Sequence, residues 1–307
     1  MIKSSSQIKT IKVSVIIPTY KDDERLNKCI EALNKQTYPK ELFEVIVVNN
    51  DINSEINIFV EHSLNLKIFK EAKPGSYAAR NFGIKHAEGE ILAFTDSDCI
   101  PHIDWLDRGV DKMSNFPQDK IIVEGKVQLF YRNQNKLSFA ECYEKIFGFS
   151  HQRIDKAEVP VMVTANGFVY SKAFDELGLF NSGLMSGGDS EFSLRAIEKK
   201  YEVLFNSESI VYHPARYSLN ELVRKKKRMF GGKVYKSIYA ENQSKLKSIA
   251  SVLKKQIKRY FREIIQVINE KNESVKVKMK IIISIFYILM AVIMESIRII
   301  FSNKTKR

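Results

Sequence analysis

Two hydrophobic rhythms alternate along the first third of the chain. Residues 12–18 (KVSVIIP) form a short, unbroken apolar run rich in β-branched side chains and closed by Pro18, the pattern of a buried parallel strand. Residues 24–34 then space Leu26, Ile30 and Leu33 along one helix face. The same rhythms predict a strand over 43–48 (FEVIVV), a helix around 54–63, a strand over 66–69, a helix over 77–87 and a strand over 90–94 (EILAF). Strands alternating with helices predict an α/β fold, Rossmann-like, with a mostly parallel central sheet and helices on both faces. Ligands of such sheets bind beyond the carboxyl ends of the strands. Three of those ends carry polar clusters: Thr19-Tyr20, Asn49-Asn50-Asp51 and Asp96-Ser97-Asp98.

From about residue 218 the rhythm changes. RKKKR at 224–228 precedes Gly231-Gly232, and residues 244–269 read as a long basic amphipathic helix with Leu246, Ile249, Leu253, Ile257, Phe261, Ile264 and Ile268 on its apolar side. After a polar break at 270–274, the run 281–294 (IIISIFYILMAVIM) supplies 14 residues, apolar but for Ser284, before Glu295 and Arg298, which stand at i, i+3 and are spaced to pair. A bilayer span takes roughly 20 apolar residues. The segment 281–301 therefore fits a marginal span, an in-plane or re-entrant anchor, or a buried core helix. Lysines flank both ends, so orientation is not set by charge. Membrane association is the expectation, and spanning is left open. The division expected is a catalytic domain over 1–217 and a basic helical extension over 218–307, with 281–301 as its anchor.

Charge sharpens that division. Of 49 Lys/Arg and 36 Asp/Glu in the chain, 22 and 6 fall in 221–307, a net +16, which leaves 27 and 30 before it, a net −3. So uneven a distribution points to an anionic partner for the tail, nucleic acid or anionic lipid, and the apolar run that follows favours lipid. RKKKR suits a diphosphate or an anionic lipid, or else a solvated face. Cys29, Cys99 and Cys142 are odd in number, widely spaced and outside any CxxC or Cys/His cluster, which argues against disulfides and structural zinc. The first residues, MIKSSSQIKTIKV, lack an apolar run of signal-peptide length, so a cytoplasmic location at the membrane face is expected.

The acidic cluster carries the sharpest chemistry. Asp96 and Asp98 follow a buried strand with one residue between them, and i, i+2 positions of extended backbone point the same way. Two hard oxygen ligands suit Mg²⁺ or Mn²⁺, whose shell phosphate oxygens can complete. Further on, GGDSE at 187–191 offers Asp189 behind two glycines, a carboxylate that can cap a helix over 191–198 or act as a base.

These blocks together carry a resemblance. VSVIIPTYKDDERLNKCIEAL, FEVIVVNND, GSYAARNFGIKHAEGEILAFTDSD, TANGFVYSKAFDELGLF and GGDSEFSLRA stand in the order, over about residues 12–215, that resembles the family 2 glycosyltransferases of GT-A fold. The resemblance implies transfer of a sugar from a nucleotide-diphospho-sugar, a UDP- or GDP-sugar, with Mn²⁺ or Mg²⁺ as cofactor. It implies donor contacts at Pro18, Thr19, Tyr20, Asn50, Arg80, Asn81, Asp96, Ser97 and Asp98, with Tyr20 stacking on the base. Asn49 and Asn50 stand where the family commonly carries an Asp pair, so the amides keep hydrogen bonding and lose the charge. Asp98 is implied as the direct metal ligand, beside Asp96 and with His213 as a further ligand. Lys73 approaches phosphate or is solvated.

Asp189 aligns with the central Asp of the family's GED-x-E block, with Gly188 in place of its Glu, which implies the general base of an inverting transferase. Asn166, Gly188 and Glu191 fall on the acceptor side, and Trp105 either stacks on a sugar or packs in the core. The acceptor implied is a hydroxyl of a glycan, lipid-linked or part of a growing surface polysaccharide, reached at an anionic membrane. Two alternatives stay open: transfer to a polyprenyl phosphate, which needs no base, and a nucleic-acid-binding protein, against which the lack of any such motif argues.

Overall fold

The computed structural model describes residues 10–116, 119–149, 161–239 and 242–301; most of the N-terminal segment read above for targeting lies outside them. The chain divides into two compact units. One comprises Met1–Val127, Glu158–Asn181 and Asp189–Tyr212; the other comprises Gln128–Ala157, Ser182–Gly188 and His213–Arg307.

The first unit is built on a sheet of order β3-β2-β1-β4-β7-β6-β8-β5. β1 (Val13–Thr19), β2 (Phe43–Asn49), β3 (Asn65–Lys70) and β4 (Ile91–Thr95) run parallel, as the alternating rhythm predicts. Beyond β4 the sheet is mixed. β7 (Asn166–Tyr170) is antiparallel to β4 and to β6 (Ile121–Phe130), and the short β5 (Ile100–Pro101) is antiparallel to β8 (Glu202–Pro214). β1 and β2 are buried along their whole length. Pro18 is tolerated in the central β1 because the β4 ladder ends at Ile16–Phe94, so the missing N–H falls past the last pairing on that side. α1 (Asp23–Asn34) buries Leu26, Ile30 and Leu33, the residues whose spacing predicts it. α2 (Ser76–His86) lies so close to the sheet that a Cβ on Gly83 would meet Ile16 at 2.7 Å.

One predicted element is absent. No helix forms around 54–63, where the chain is irregular. Side chains from α1 take over its backbone groups: Asn27 accepts from the amides of Phe59 and Val60 at 2.8 and 3.2 Å and donates to the Asn57 carbonyl at 2.8 Å. Asp51 accepts from the Asn53 amide and the Ser54 hydroxyl. These bonds replace the i to i−4 ladder a helix would need.

α3 (Trp105–Ser114), α5 (Ala173–Leu177) and α6 (Gly188–Glu198) complete the first unit's helices, Gly188 itself falling in the second. The second unit is helical. α4 (Phe139–Phe147) opens with a capping box between Ser138 and Glu141. α7 (Leu219–Tyr239), α8 (Lys245–Asn269) and α9 (Val275–Phe301) share a core with it. α9 has two apolar sides. Ile281, Ile285, Ile288, Val292 and Ile299 are buried in that core, whereas Ile283, Phe286, Met290, Met294 and Ile297 are exposed. Glu295 is buried and paired with Arg298 at 2.7 Å, as their spacing predicts. By length and composition α9 is able to cross a membrane. Cys29, Cys99 and Cys142 are free and buried.

Candidate active site

The carboxyl ends of β1, β2 and β4 bring the three polar clusters to one end of the parallel half-sheet. Thr19 closes β1 with its hydroxyl buried and without a hydrogen-bond partner, and Tyr20 follows with its ring 60% exposed, free to stack on a planar ligand. Lys21 sits beside that ring and 3.6 Å from Asp51. Both amide hydrogens of Asn50 are taken by the protein. Its Nδ2 donates to the carbonyls of Glu71 and Lys73 at 2.7 and 2.8 Å, and its Oδ1 accepts from the Gly75 amide at 2.7 Å. Asn50 thereby ties the end of β2 to Gly75, the residue on which α2 begins, and only its oxygen remains to meet a base. Asn49, which is buried, donates to the Ser54 carbonyl and accepts from the Asp51 amide.

α2 delivers Arg80 to the acidic cluster. The buried Arg80 guanidinium pairs with Asp96, and its Nε is buried with no partner. Asp96 and Asp98 each offer a carboxylate oxygen within 4.8 Å of the other. The Cys99 sulfur lies in the same group, but a hard divalent cation selects the two carboxylates over a thiol. Asp98 faces Arg25 at 3.5 Å, and Arg25 also holds Asp22 at 2.7 Å; Asp22 in turn accepts from Ser97 at 3.3 Å. Burial raises the Asp22 carboxyl above its ordinary range, against the pull of Arg25.

Asp189 stands in the first turn of α6, one residue inside the helix, and not as the cap outside it. Its Oδ1 accepts from the Ser190 amide at 2.8 Å, and its own amide donates to the Tyr77 hydroxyl at 3.3 Å. Burial raises its carboxyl above the ordinary value; the Ser190 amide, Arg80 and Tyr77 oppose the rise and Asp96 adds to it. A carboxylate displaced toward neutrality is a better proton acceptor. Gly187, just before α6, adopts φ +82°, a conformation only glycine enters freely, and a Cβ there would meet nothing within 4 Å beyond its chain neighbours.

Asn81, Asn166, Trp105 and Glu191 are each engaged by neighbouring protein groups. Asn81 donates to the Phe180 carbonyl and accepts from the Phe180 amide, which ties α2 to the segment after α5 and leaves one N–H of its amide for a ligand. Asn166 is fully buried: it accepts from Trp105 Nε1 at 2.8 Å and donates to the carbonyls of Lys126 and Ser209 at 2.9 Å each. Trp105 itself is buried against Phe168, so it packs and does not stack on a sugar. Glu191 holds Arg195 at 2.7 Å, and Arg195 donates to the Leu179 carbonyl after α5. His213 belongs to the second unit, where it is buried at the end of β8 with Nδ1 2.8 Å from the Pro214 carbonyl oxygen.

Residues 14–178 match the sequence profile of glycosyl transferase family 2, more than half of the chain. The chain belongs to glycosyltransferase family 2. It is 40% identical over 228 residues to the glycosyltransferase AglE of Haloferax volcanii, covering 72% of this chain and 73% of that one. Over 224 residues it is 23% identical to a dolichyl N-acetyl-α-D-glucosaminyl phosphate 3-β-D-2,3-diacetamido-2,3-dideoxy-β-D-glucuronosyltransferase of Methanococcus voltae, 69% of this chain and 70% of that protein. Among solved structures, the mannosyltransferase PcManGT from Pyrobaculum calidifontis, in complex with GDP-Man and Mn²⁺, aligns at TM-score 0.62 and 14% identity over 97% of this chain and 89% of its own, which places the fold in the GT-A class.

This family 2 glycosyltransferase is an enzyme that works with nucleotide sugars, and its acidic pair is consistent with a divalent cation. Asp22 and Arg25 are the members of its site that the strand-end pattern did not single out. They lie in the KDDER stretch that opens α1, and only the fold shows that this turn meets Asp98.

Proposed function

We propose that this glycosyltransferase inverts the anomeric centre as it moves a sugar from a nucleoside-diphosphate donor to a hydroxyl of a lipid-linked or surface glycan at the cytoplasmic face of a membrane. The observation that carries the reading is Asp189: a carboxylate half-buried in the first turn of α6, with raised proton affinity and within electrostatic reach of the Arg80–Asp96 pair. In this reading Asp189 takes the proton of the acceptor hydroxyl as its oxygen attacks the anomeric carbon. The Asp96 and Asp98 oxygens would hold Mg²⁺ or Mn²⁺, which supplies neutralisation of charge on the departing diphosphate. Arg80 fixes the orientation of Asp96, and Arg25 that of Asp98. Tyr20 offers its exposed ring to the nucleobase, with Thr19 and Pro18 preceding it at the end of β1. The catalytic domain runs to about residue 217 and the rest serves as a basic, membrane-seeking extension. The relatives' own partners, GDP-Man with Mn²⁺ and a dolichyl phosphate-linked sugar, are in keeping with both parts of the reading.

The test is a panel of UDP- and GDP-sugars with Mn²⁺, following donor hydrolysis and transfer. One donor should be consumed in a metal-dependent manner, and Asp98→Ala should lower that rate about 10²–10³-fold, the scale of losing a preorganised charge contact in such a site. Metal-dependent turnover that survives Asp98→Ala unchanged would refute the assignment.

A further inference from the structure

The basic run 224–228 does not form a uniformly solvated face. Arg224 and Arg228 are exposed, but Lys225 and Lys226 are half-buried inside the second unit. Lys225 Nζ lies 3.4 Å from Glu144, a buried carboxylate of α4 that Arg216 already holds at 2.8 Å. The Arg216 amide takes its other oxygen at 2.7 Å. Lys226 lies over the Tyr143 ring, 4.7 Å from its centre. The nearest carboxylate on α8, Glu263, is taken by Arg259 at 2.8 Å and by the Tyr143 hydroxyl at 3.0 Å. Lys233 follows Lys226 by seven residues, which keeps it on the same side of α7, and it too is repelled by Arg259.

Five cations, Arg216, Lys225, Lys226, Lys233 and Arg259, therefore share the two carboxylates Glu144 and Glu263. Among the described residues, neither Lys226 nor Lys233 has a carboxylate within the 4.0 Å of an ion pair. Charge removed from water without a partner is costly. Burial and Arg259 accordingly push the Lys226 ammonium down to about 7, and the same two causes push Lys233 to about 8. Glu144 shows the opposite balance: burial raises it, yet Lys225 and Arg216 outweigh that and hold it at about 2. The excess of positive charge over carboxylates is three. A bound diphosphate would bring a compensating charge, with acceptor oxygens for ammonium and guanidinium donors alike.

We propose that this cluster binds the phosphate or diphosphate of a lipid-linked acceptor, a proposal that rests on the lipid-linked acceptor of the preceding reading. A phosphoester anion could also come from a free nucleotide or inorganic diphosphate. The lipid source is favoured because the same unit exposes the apolar side of α9, including Phe286, Met290 and Met294, where a prenyl chain or bilayer finds a surface.

The experiment uses the full chain in excess EDTA, so that no divalent cation bridges a ligand to Asp96 and Asp98, with farnesyl diphosphate, farnesol and inorganic diphosphate as probes. Farnesyl diphosphate should bind more tightly than either other probe. Lys226→Met and Lys233→Met should each weaken it about tenfold or more, the scale of a charged hydrogen bond. Lys226→Arg should bind like wild type, and farnesol should not distinguish the variants. Lys226→Met should also raise the Tm of the free protein, because it removes an uncompensated charge, whereas a lysine that merely supports packing would lower it. Undiminished binding in both methionine variants, or a lowered Tm with unchanged affinity, overturns the proposal. Inorganic diphosphate binding as tightly as farnesyl diphosphate overturns the lipid source. No transfer step is measured, so a chain that binds farnesyl diphosphate here yet transfers no sugar to a lipid-linked acceptor would sink the acceptor reading and leave the anion site standing.

Discussion

The two units handle charge in opposite ways. At the strand ends of the first, carboxylates and arginines come in near-balanced partnerships: Arg80 with Asp96, Arg25 shared between Asp22 and Asp98. In the second, Glu144 and Glu263 are outnumbered by the cations around them. A balanced set fixes side-chain geometry before substrate arrives, which is what a site needs if its charges are to act without reorganising. An unbalanced set is costly until a counter-charge binds. The first arrangement suits chemistry, and the second suits capture.

The comparison breaks most sharply at Asp189. Replacing it with Asn should cost about 10²–10⁴-fold in kcat for transfer to a hydroxyl, the usual worth of a general base, with donor KM little changed. Near wild-type transfer in that variant would mean an acceptor already ionised, such as a polyprenyl phosphate. The base works only when deprotonated and its carboxyl is raised, so wild-type turnover should fall with acid at a higher pH than an ordinary aspartate would give. The same raised value means that the folded state prefers the protonated form. Ionised Asp189 thus destabilises the fold above that pH, and Asp189→Asn should raise the Tm at neutral pH. A lowered Tm would show that its carboxylate is needed for folding.

Membrane capture gives the next largest effect. Phe286→Glu with Met290→Glu places two charges on the exposed side of α9 and leaves its buried side intact. Flotation with phosphatidylglycerol vesicles should be lost while the Tm stays near wild type. Persistent flotation would move the membrane contact elsewhere in the chain. The smallest effect belongs to Asn50→Ala, which strips partners from the Gly75 amide and two carbonyls. It should lower stability by about 1–3 kcal/mol and raise donor KM through α2, without altering the metal requirement; an unchanged KM would refute the positioning role.

Much of the catalytic unit could be read in advance. β1, β2 and β4, with α1 and α2, fall where apolar periodicity predicts them, because each buries side chains whose spacing is fixed by its own geometry; β3 forms at its predicted place as a largely exposed edge strand. The strand-end rule then located Thr19-Tyr20 and Asp96-Ser97-Asp98. The reading failed where side chains replaced backbone partners. Residues 54–63 carry a helix-like pattern, but Asn27 of α1 binds their amides and carbonyl. Asn50, Asn81 and Asn166 look like ligand contacts by position, yet each amide also holds backbone groups or Trp105, and Asn166 is wholly buried by doing so. Hydrogen-bond capacity is a property of neighbours, and the sequence around these residues does not name them.

Local pattern thus determined the parallel half-sheet, the acidic pair after β4, the helical course of the basic tail and the Glu295–Arg298 pairing. The inward side of α8 differs from the one its spacing suggests, because Ile249, Val252, Tyr260 and Val267 are buried while Leu246, Phe261 and Ile268 are exposed. Tertiary structure decided which charges are balanced. It brought Arg25 to Asp98 and Arg80 to Asp96, and it folded residues 128–149 in with the tail, so that Glu144 and Tyr143 meet the lysines of α7. The physical reason is that electrostatic cost depends on distance and burial across the fold, and the lysines of RKKKR differ in neither composition nor order from a solvated run until α4 and α8 close around them.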